Sequence, residues 1–221
     1  MSTILIVLTS HATLGDTGRR TGFYVSEAAE PWRAFTAAGH AVELASPAGG
    51  TPPSDGDWDG FDDFRPVAGA GTIPLSAADP ARYDAVFLAG GHGTMWDFPG
   101  SADLSALVAA VYAGGGVVGA VCHGPAGLTE VVLPGGTHLL EGREVAGFTD
   151  EEEAAVGLTA VVPFSLQQRL TERGAAVRTA PAFAAQVVRD GRLVTGQNPA
   201  SAAGVAEGVL AALAGREVTA G

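Results

Sequence analysis

Gly115-Gly116-Val117-Val118-Gly119-Ala120-Val121-Cys122-His123-Gly124-Pro125-Ala126 decides how the rest of the chain is read. Its apolar run reads as a short buried strand, and that strand ends on the chain's only cysteine. Cysteine, histidine and glycine in that order describe a nucleophile elbow. The strand delivers the thiol into a sharp turn, small neighbours let the backbone crowd together, and the following helix turns its N-terminal amides toward the reacting atom. The same residues also fit a structural cysteine at the end of a core strand, because free cysteine is among the most buried residue types.

Outward from this run, similar apolar segments occur at Ile4 to Leu8, Ala41 to Ala45 and Ala85 to Ala89, each leading into a loop of small or polar residues. Continuous rather than alternating apolar character is the mark of parallel strands buried on both faces. Helical spacing fills the gaps. Glu27 to Ala38 stops at Gly39, and Ala102 to Tyr112 places Leu104, Leu107, Val108 and Val111 on one side before Gly114. Val145 to Phe148 and Ala176 to Ala180 read as later strands, residues 186–195 as a hairpin turning at Asp190-Gly191, and about Pro199 to Leu213 as a closing helix. The alternation predicts an α/β fold with a mostly parallel sheet between helical layers, one domain over residues 1–221. Residues 46–80, rich in Gly, Pro and Asp with isolated Trp58, Phe61 and Phe64, interrupt it as a long excursion that reads equally as a lid or as a solvated cover.

In such a sheet the reactive groups gather outside the carboxyl ends of the strands. Three loops there carry chemistry: the one leading to Glu27, Ala89-Gly90-Gly91-His92-Gly93-Thr94, and Cys122-His123. The glycines let amides approach a bound oxygen, so the amides of Gly91 and His123 are the expected oxyanion site. Glu27 stands four residues before Pro31, which lacks the N–H that would bond the carbonyl of residue 27. A carboxyl held there in apolar surroundings would keep its proton and could shuttle it, although a residue that only complements a helix start fits as well. The thiol, beside a helix start, is expected to ionise below its usual value of about 8.5. Thr149-Asp150-Glu151-Glu152-Glu153 offers a carboxylate for His123, but ordinary capping explains most of that run. Single substitutions at Asp150, Glu151 and Glu152 are therefore expected to change stability by no more than about 1 kcal/mol. His11, His40 and His138 stand alone, and no spacing resembles a zinc site.

Composition excludes several classes. All 12 basic residues are arginine, which rules out any mechanism needing a lysine amine. A formal net charge of −12 opposes nucleic acid and anionic membrane surfaces. One cysteine cannot close an internal disulfide, and no export leader or membrane-length apolar run is seen, so a cytoplasmic location is expected.

Five stretches, Thr21 to Glu27 with Pro31, Ala89 to Asp97, Ala120 to Pro125, Gly147 to Asp150 with the acids behind it, and Leu193 to Ser201, together resemble the ThiJ/PfpI superfamily, also called class I glutamine amidotransferase-like, in its glyoxalase III branch. The resemblance implies a flavodoxin-like three-layer sandwich, usually a homodimer. It also implies a lyase that needs no cofactor or metal and turns methylglyoxal into D-lactate without glutathione, an activity also known as D-lactate dehydratase. By position Cys122 is then the nucleophile, His123 its triad neighbour, Glu27 the proton shuttle and Glu153 the third acid. Other functions of the superfamily are a PfpI-type cysteine peptidase or amidase, a stress-related chaperone and a thiol redox sensor. Residues 180–200 hold no histidine, so the His-x-Glu of a true glutamine amidotransferase is missing.

Overall fold

The structure, a computed structural model, describes the backbone of residues 1–219 and the side chains of residues 1–215. The chain opens with β1 (Thr3–Val7), β2 (Phe23–Tyr24), α1 (Val25–Ala37) and β3 (Ala41–Ser46). β4 (Ser54–Asp55), α2 (Arg65–Gly69) and β5 (Ile73–Pro74) lie in the long connection before β6 (Ala85–Leu88). α3 (Thr94–Asp97) and α4 (Ala102–Ala113) precede β7 (Val117–Val121), and β8 (Glu144–Val145), α5 (Asp150–Ala155), α6 (Leu166–Glu172) and β9 (Ala176–Val177) follow it. The antiparallel pair β10 (Val187–Asp190) and β11 (Leu193–Gly196) leads into α7 (Ala202–Thr219).

Seven strands form one sheet in the order β10-β11-β7-β6-β1-β3-β5, parallel except at β10. Ile6 lies opposite Leu44 on one side and Phe87 on the other, and Gly119 opposite Phe87 and Val194. Helices flank this sheet, as expected of a flavodoxin-like sandwich. α1 packs on α7, α7 against β7 and β11, and α4 against β6 and β7. Burial on both sides is why β1, β6 and β7 read as unbroken apolar runs, and Ile4 through Val7 have no exposed surface at all. Gly119 in the centre of β7 has a packing reason: a Cβ there would meet Val209 of α7 at 2.8 Å and Phe87 at 2.9 Å. Among the described residues no helix is long and apolar enough to cross a membrane.

Two expected strands shrink. Val145 to Phe148 and Ala176 to Ala180 are reduced to the two-residue β8 and β9, which pair with each other outside the main sheet. The amides beyond β8 are used elsewhere: Ala146 N–H donates to Thr195 Oγ1 at 2.8 Å and Phe148 N–H to the Cys122 carbonyl at 2.9 Å. The segment thus anchors the elbow instead of extending a ladder. Within residues 46–80, Phe64 is fully buried, with its ring against Phe23, Trp32 and Trp58, and β5 pairs along the edge of β3. The aromatics fasten this excursion to α1, which favours a cover over a freely moving lid.

Candidate active site

Cys122 follows β7 with φ of 58°, the left-handed region that a side chain adopts only under strain. The turn is held from three sides. Its N–H donates to the Gly196 carbonyl at 2.9 Å, its carbonyl accepts from Phe148, and Thr94 Oγ1 binds the carbonyls of Gly91 and His123 at 2.9 and 3.1 Å. Thr94 thereby ties the glycine turn after β6 to the elbow after β7. Gly91 has φ of 105° and sits so close to Gly22 and Tyr24 that a side chain would collide with their backbone. The backbone amides of Gly91 and His123 both favour the Cys122 thiolate. An oxygen on a carbon bonded to that sulfur would meet the same two donors.

Glu27, in the first turn of α1, is fully buried, and neither carboxyl oxygen has a partner at ordinary hydrogen-bond geometry. Its polar neighbours are the Cys122 thiol and the Gly90 amide, and a side chain at Gly90 would collide with the carboxyl. Burial, only partly offset by these neighbours, pushes Glu27 up to about 8. At neutral pH it therefore carries a proton. The same burial, reinforced by Glu27, pushes the Cys122 thiol up as well, overturning the expectation of an easily ionised thiol. At 4 % exposure the sulfur lacks the water that would stabilise its anion, and the helix that follows is only a short 3-10 turn, Gly124–Leu128. For this sulfur to act as a nucleophile, ionisation would have to accompany attack, with a base beside it.

His123 stands where such a base would be needed. Its Nδ1 lies 3.4 Å from the Cys122 sulfur, and its Nε2 is 2.8 Å from Glu153 Oε2. Burial and the neighbouring His92 bring His123 down to about 4, so the ring is neutral at pH 7. Burial opposes ionisation of Glu153 too, but the hydrogen bonds from His123 and His92 outweigh it and hold the carboxyl at about 2. An ionised carboxylate only accepts, so Nε2 of His123 carries the ring proton and Nδ1 presents its lone pair to the thiol.

The acids after Phe148 have separate fates. Thr149 caps α5 in a capping box with Glu152. Asp150 accepts from Ser165 Oγ at 2.5 Å, and Glu151 is exposed. Glu152 is fully buried, so the expectation of a minor capping role fails for it. It accepts from Thr149 N–H and Oγ1, Phe183 N–H, Gln197 Nε2 and Asn198 Nδ2, at 2.8 to 3.1 Å. Glu153 faces His123.

Sequence reasoning missed His92. Its Nε2 is 3.0 Å from the other oxygen of Glu153, and its ring lies 4.2 Å from that of His123. Its only signal was its position inside the Gly90 to Gly93 turn. His92, His123 and Glu153 offer three ligand atoms within 4.8 Å of one another, a group that could hold a divalent cation despite the unpromising spacing in sequence. The Nε2 atoms of both histidines already share protons with Glu153, so a metal bound between them and the carboxylate would have to displace both. Chelation by EDTA is expected to leave turnover unchanged, whereas added Zn2+ should inhibit by taking His123 Nε2. Activity lost on chelation and restored by zinc would contradict this.

Cys122, His123 and His92 line a cavity of about 290 Å3 together with Tyr24, Asp55, Phe148 and Phe183, and within it Cys122 and His123 are buried while Tyr24 and Phe183 are exposed. Residues 20–212 match the DJ-1/PfpI family model. The chain belongs to the DJ-1/PfpI family. It is 35 % identical to glyoxalase 3 of Candida albicans, over 96 % of this chain and 98 % of that one. It is also 33 % identical to the glutathione-independent glyoxalase HSP31 of Saccharomyces cerevisiae, over 90 % and 92 % of the two chains. The crystal structure of the Candida albicans glyoxalase III superposes with a TM-score of 0.88 at 35 % identity, covering 96 % of this chain and 97 % of that one. The 24 kDa rapid encystment protein of Francisella tularensis superposes at 0.90 with 36 % identity, covering 96 % and 99 %.

Proposed function

We propose that this DJ-1/PfpI protein is a glutathione-independent glyoxalase that hydrates and rearranges methylglyoxal, and similar small dicarbonyls, to the 2-hydroxy acid. The observation that carries the reading is a buried thiol with a neutral imidazole 3.4 Å from its sulfur, a protonated carboxyl as its other neighbour and two backbone amides that favour its anion. The reading includes a cytoplasmic homodimer needing no cofactor, with D-lactate as the product from methylglyoxal.

The protons balance through Glu27 and His123. The sulfur adds to the aldehyde carbon, its proton passes to His123 Nδ1, and Glu27 protonates the aldehyde oxygen held by the amides of Gly91 and His123. The Glu27 carboxylate then takes the hydrogen from the aldehyde carbon while His123 protonates the ketone oxygen, giving an enediol. Glu27 returns its proton to the neighbouring carbon as His123 takes the hydroxyl proton at the first, which leaves a thioester. Water attacks that thioester with Glu27 as base, and His123 reprotonates the departing sulfur. Glu153 stabilises the imidazolium whenever it forms.

Incubation with methylglyoxal, without glutathione or metal, followed by chiral chromatography should yield D-lactate. Cys122→Ala should abolish it. Product from the variant, or none from the wild type, would overturn the assignment. A peptidase reading finds little support in a sulfur at the floor of a cavity, out of reach of an extended chain.

Because free enzyme needs His123 neutral and Glu27 protonated, kcat/KM should form a plateau that falls below about pH 4 and above about pH 8. A single alkaline rise, the signature of a thiol that must ionise first, would contradict the proton inventory.

A further inference from the structure

Among the described residues, only Cys122 and Phe183 hold a positive φ without being glycine. Cys122 is the nucleophile; Phe183, at φ of 62°, lies on the rim of the same cavity with half its surface exposed. Strain of this kind persists only where the surroundings over-determine it. Here the surroundings are explicit. Phe183 N–H donates to buried Glu152 Oε1 at 2.8 Å, and Asn198 Nδ2 links the same oxygen to the Ala184 carbonyl at 2.7 Å. Gln197 grips the other end of the loop, accepting from Ala180 N–H at 2.8 Å. A buried carboxylate and two buried amides thus fix a loop whose phenyl ring is left half in water. Tyr24 and Val156, two more of the few exposed large apolar side chains among the described residues, line the same cavity.

Inward from Phe183 the apolar surface is continuous. Its ring meets Phe148 edge-on at 6.4 Å, and Phe148 lies 4.4 Å from the His123 ring beside the sulfur. A three-carbon dicarbonyl bonded to Cys122 would reach Phe148 but leave the outer part of a cavity of about 290 Å3 empty. That volume approaches the ~300 Å3 at which pockets begin to enclose drug-sized ligands.

We propose that Phe183 is a specificity-determining residue, and that the preferred substrates are 2-oxoaldehydes whose ketone carbon bears an apolar group bulkier than methyl, aromatic groups foremost. The proposal rests on the glyoxalase reading, with the same bonds made and broken: R–CO–CHO and water give R–CHOH–COO− and a proton. The substituent R extends past Phe148 and packs against the Phe183 ring. An aromatic pair of this kind adds to binding beyond simple area burial, because ring edges and faces carry opposite partial charge.

The test is the ratio of kcat/KM for phenylglyoxal to that for methylglyoxal, from initial rates of mandelate and lactate formation. The wild type should favour phenylglyoxal by about tenfold. Phe183→Ala should lose about tenfold in that ratio, mainly through the KM for phenylglyoxal, and Phe183→Tyr should retain it. A merely damaged fold would lower both activities without moving the ratio, so the ratio reads recognition. A preference for methylglyoxal in the wild type, or the same ratio in Phe183→Ala, overturns the proposal while the glyoxalase reading stands. Turnover of neither aldehyde overturns both.

Discussion

Glu27→Gln is expected to make the protein more stable as it makes the enzyme nearly inactive. Glu27 is held at about 8 in the folded chain against 4.5 for an ordinary glutamate, so between those values the native state binds the extra proton. Stability from this group is fully present below about pH 4.5 and is lost as pH rises through about 8. A neutral glutamine of nearly the same shape removes that loss, so the variant should gain on the wild type by a few kcal/mol, on the order of one per pH unit, across this window. Neighbouring groups run the other way: His123, brought down, and Glu153, held at about 2, contribute stability that is present at neutral pH and lost on acidification. The informative quantity is therefore the difference between variant and wild type, read from denaturant unfolding at pH 5, 7 and 9. Turnover should fall about a hundredfold or more, since glutamine cannot carry a proton between carbons. Near-normal turnover, or a stability difference independent of pH, would remove Glu27 from its proposed role.

Glu152→Ala and Glu153→Gln, one residue apart, should fail in opposite ways. Glu152→Ala removes the acceptor of five hydrogen bonds, four of them buried, and although Gln197 Nε2 and Asn198 Nδ2 keep the carbonyls of Ala180 and Ala184, the change should destabilise the fold by about 3 to 5 kcal/mol. Glu153→Gln keeps the shape but can no longer stabilise the imidazolium, and should lower kcat by about a hundredfold or more with a much smaller effect on unfolding. Calorimetry and steady-state rates on the same two preparations decide the matter. Equal loss of stability in both, or normal turnover in Glu153→Gln, would show the two carboxylates to be misassigned.

The contrast also shows where sequence reading stops. Cys122-His123 was legible because everything that makes an elbow is local: an apolar strand, a reactive residue, a glycine. The parallel sheet was legible because burial on both faces erases alternation from β1, β6 and β7. Glu152 was not legible, since a run of four acids at a helix start looks solvated and its partners lie as far away as Asn198. His92 escaped for the same reason: its bond to Glu153 spans 61 residues, and its glycine-rich turn already had an explanation in backbone amides. The thiol was misjudged because the short helix turn was visible in the sequence and the depth of burial was not. Val145 to Phe148 has the composition of a strand, but its amides are taken by Cys122 and Thr195, groups distant in sequence.

Cys122 is the chain's only cysteine, and it lies at the bottom of the cavity. That placement governs how the molecule ages. An oxidant small enough to reach the sulfur converts it to a sulfenic acid, which in many proteins is rescued by a second cysteine that condenses with it. Here no resolving thiol exists within the chain, so repair depends on a reductant slender enough to pass the aromatic rim. A second oxidation, to the sulfinic acid, closes that route. Inactivation by peroxide should then become permanent in each molecule that reaches the sulfinic acid, and a population under oxidative load replaces those molecules only through fresh synthesis.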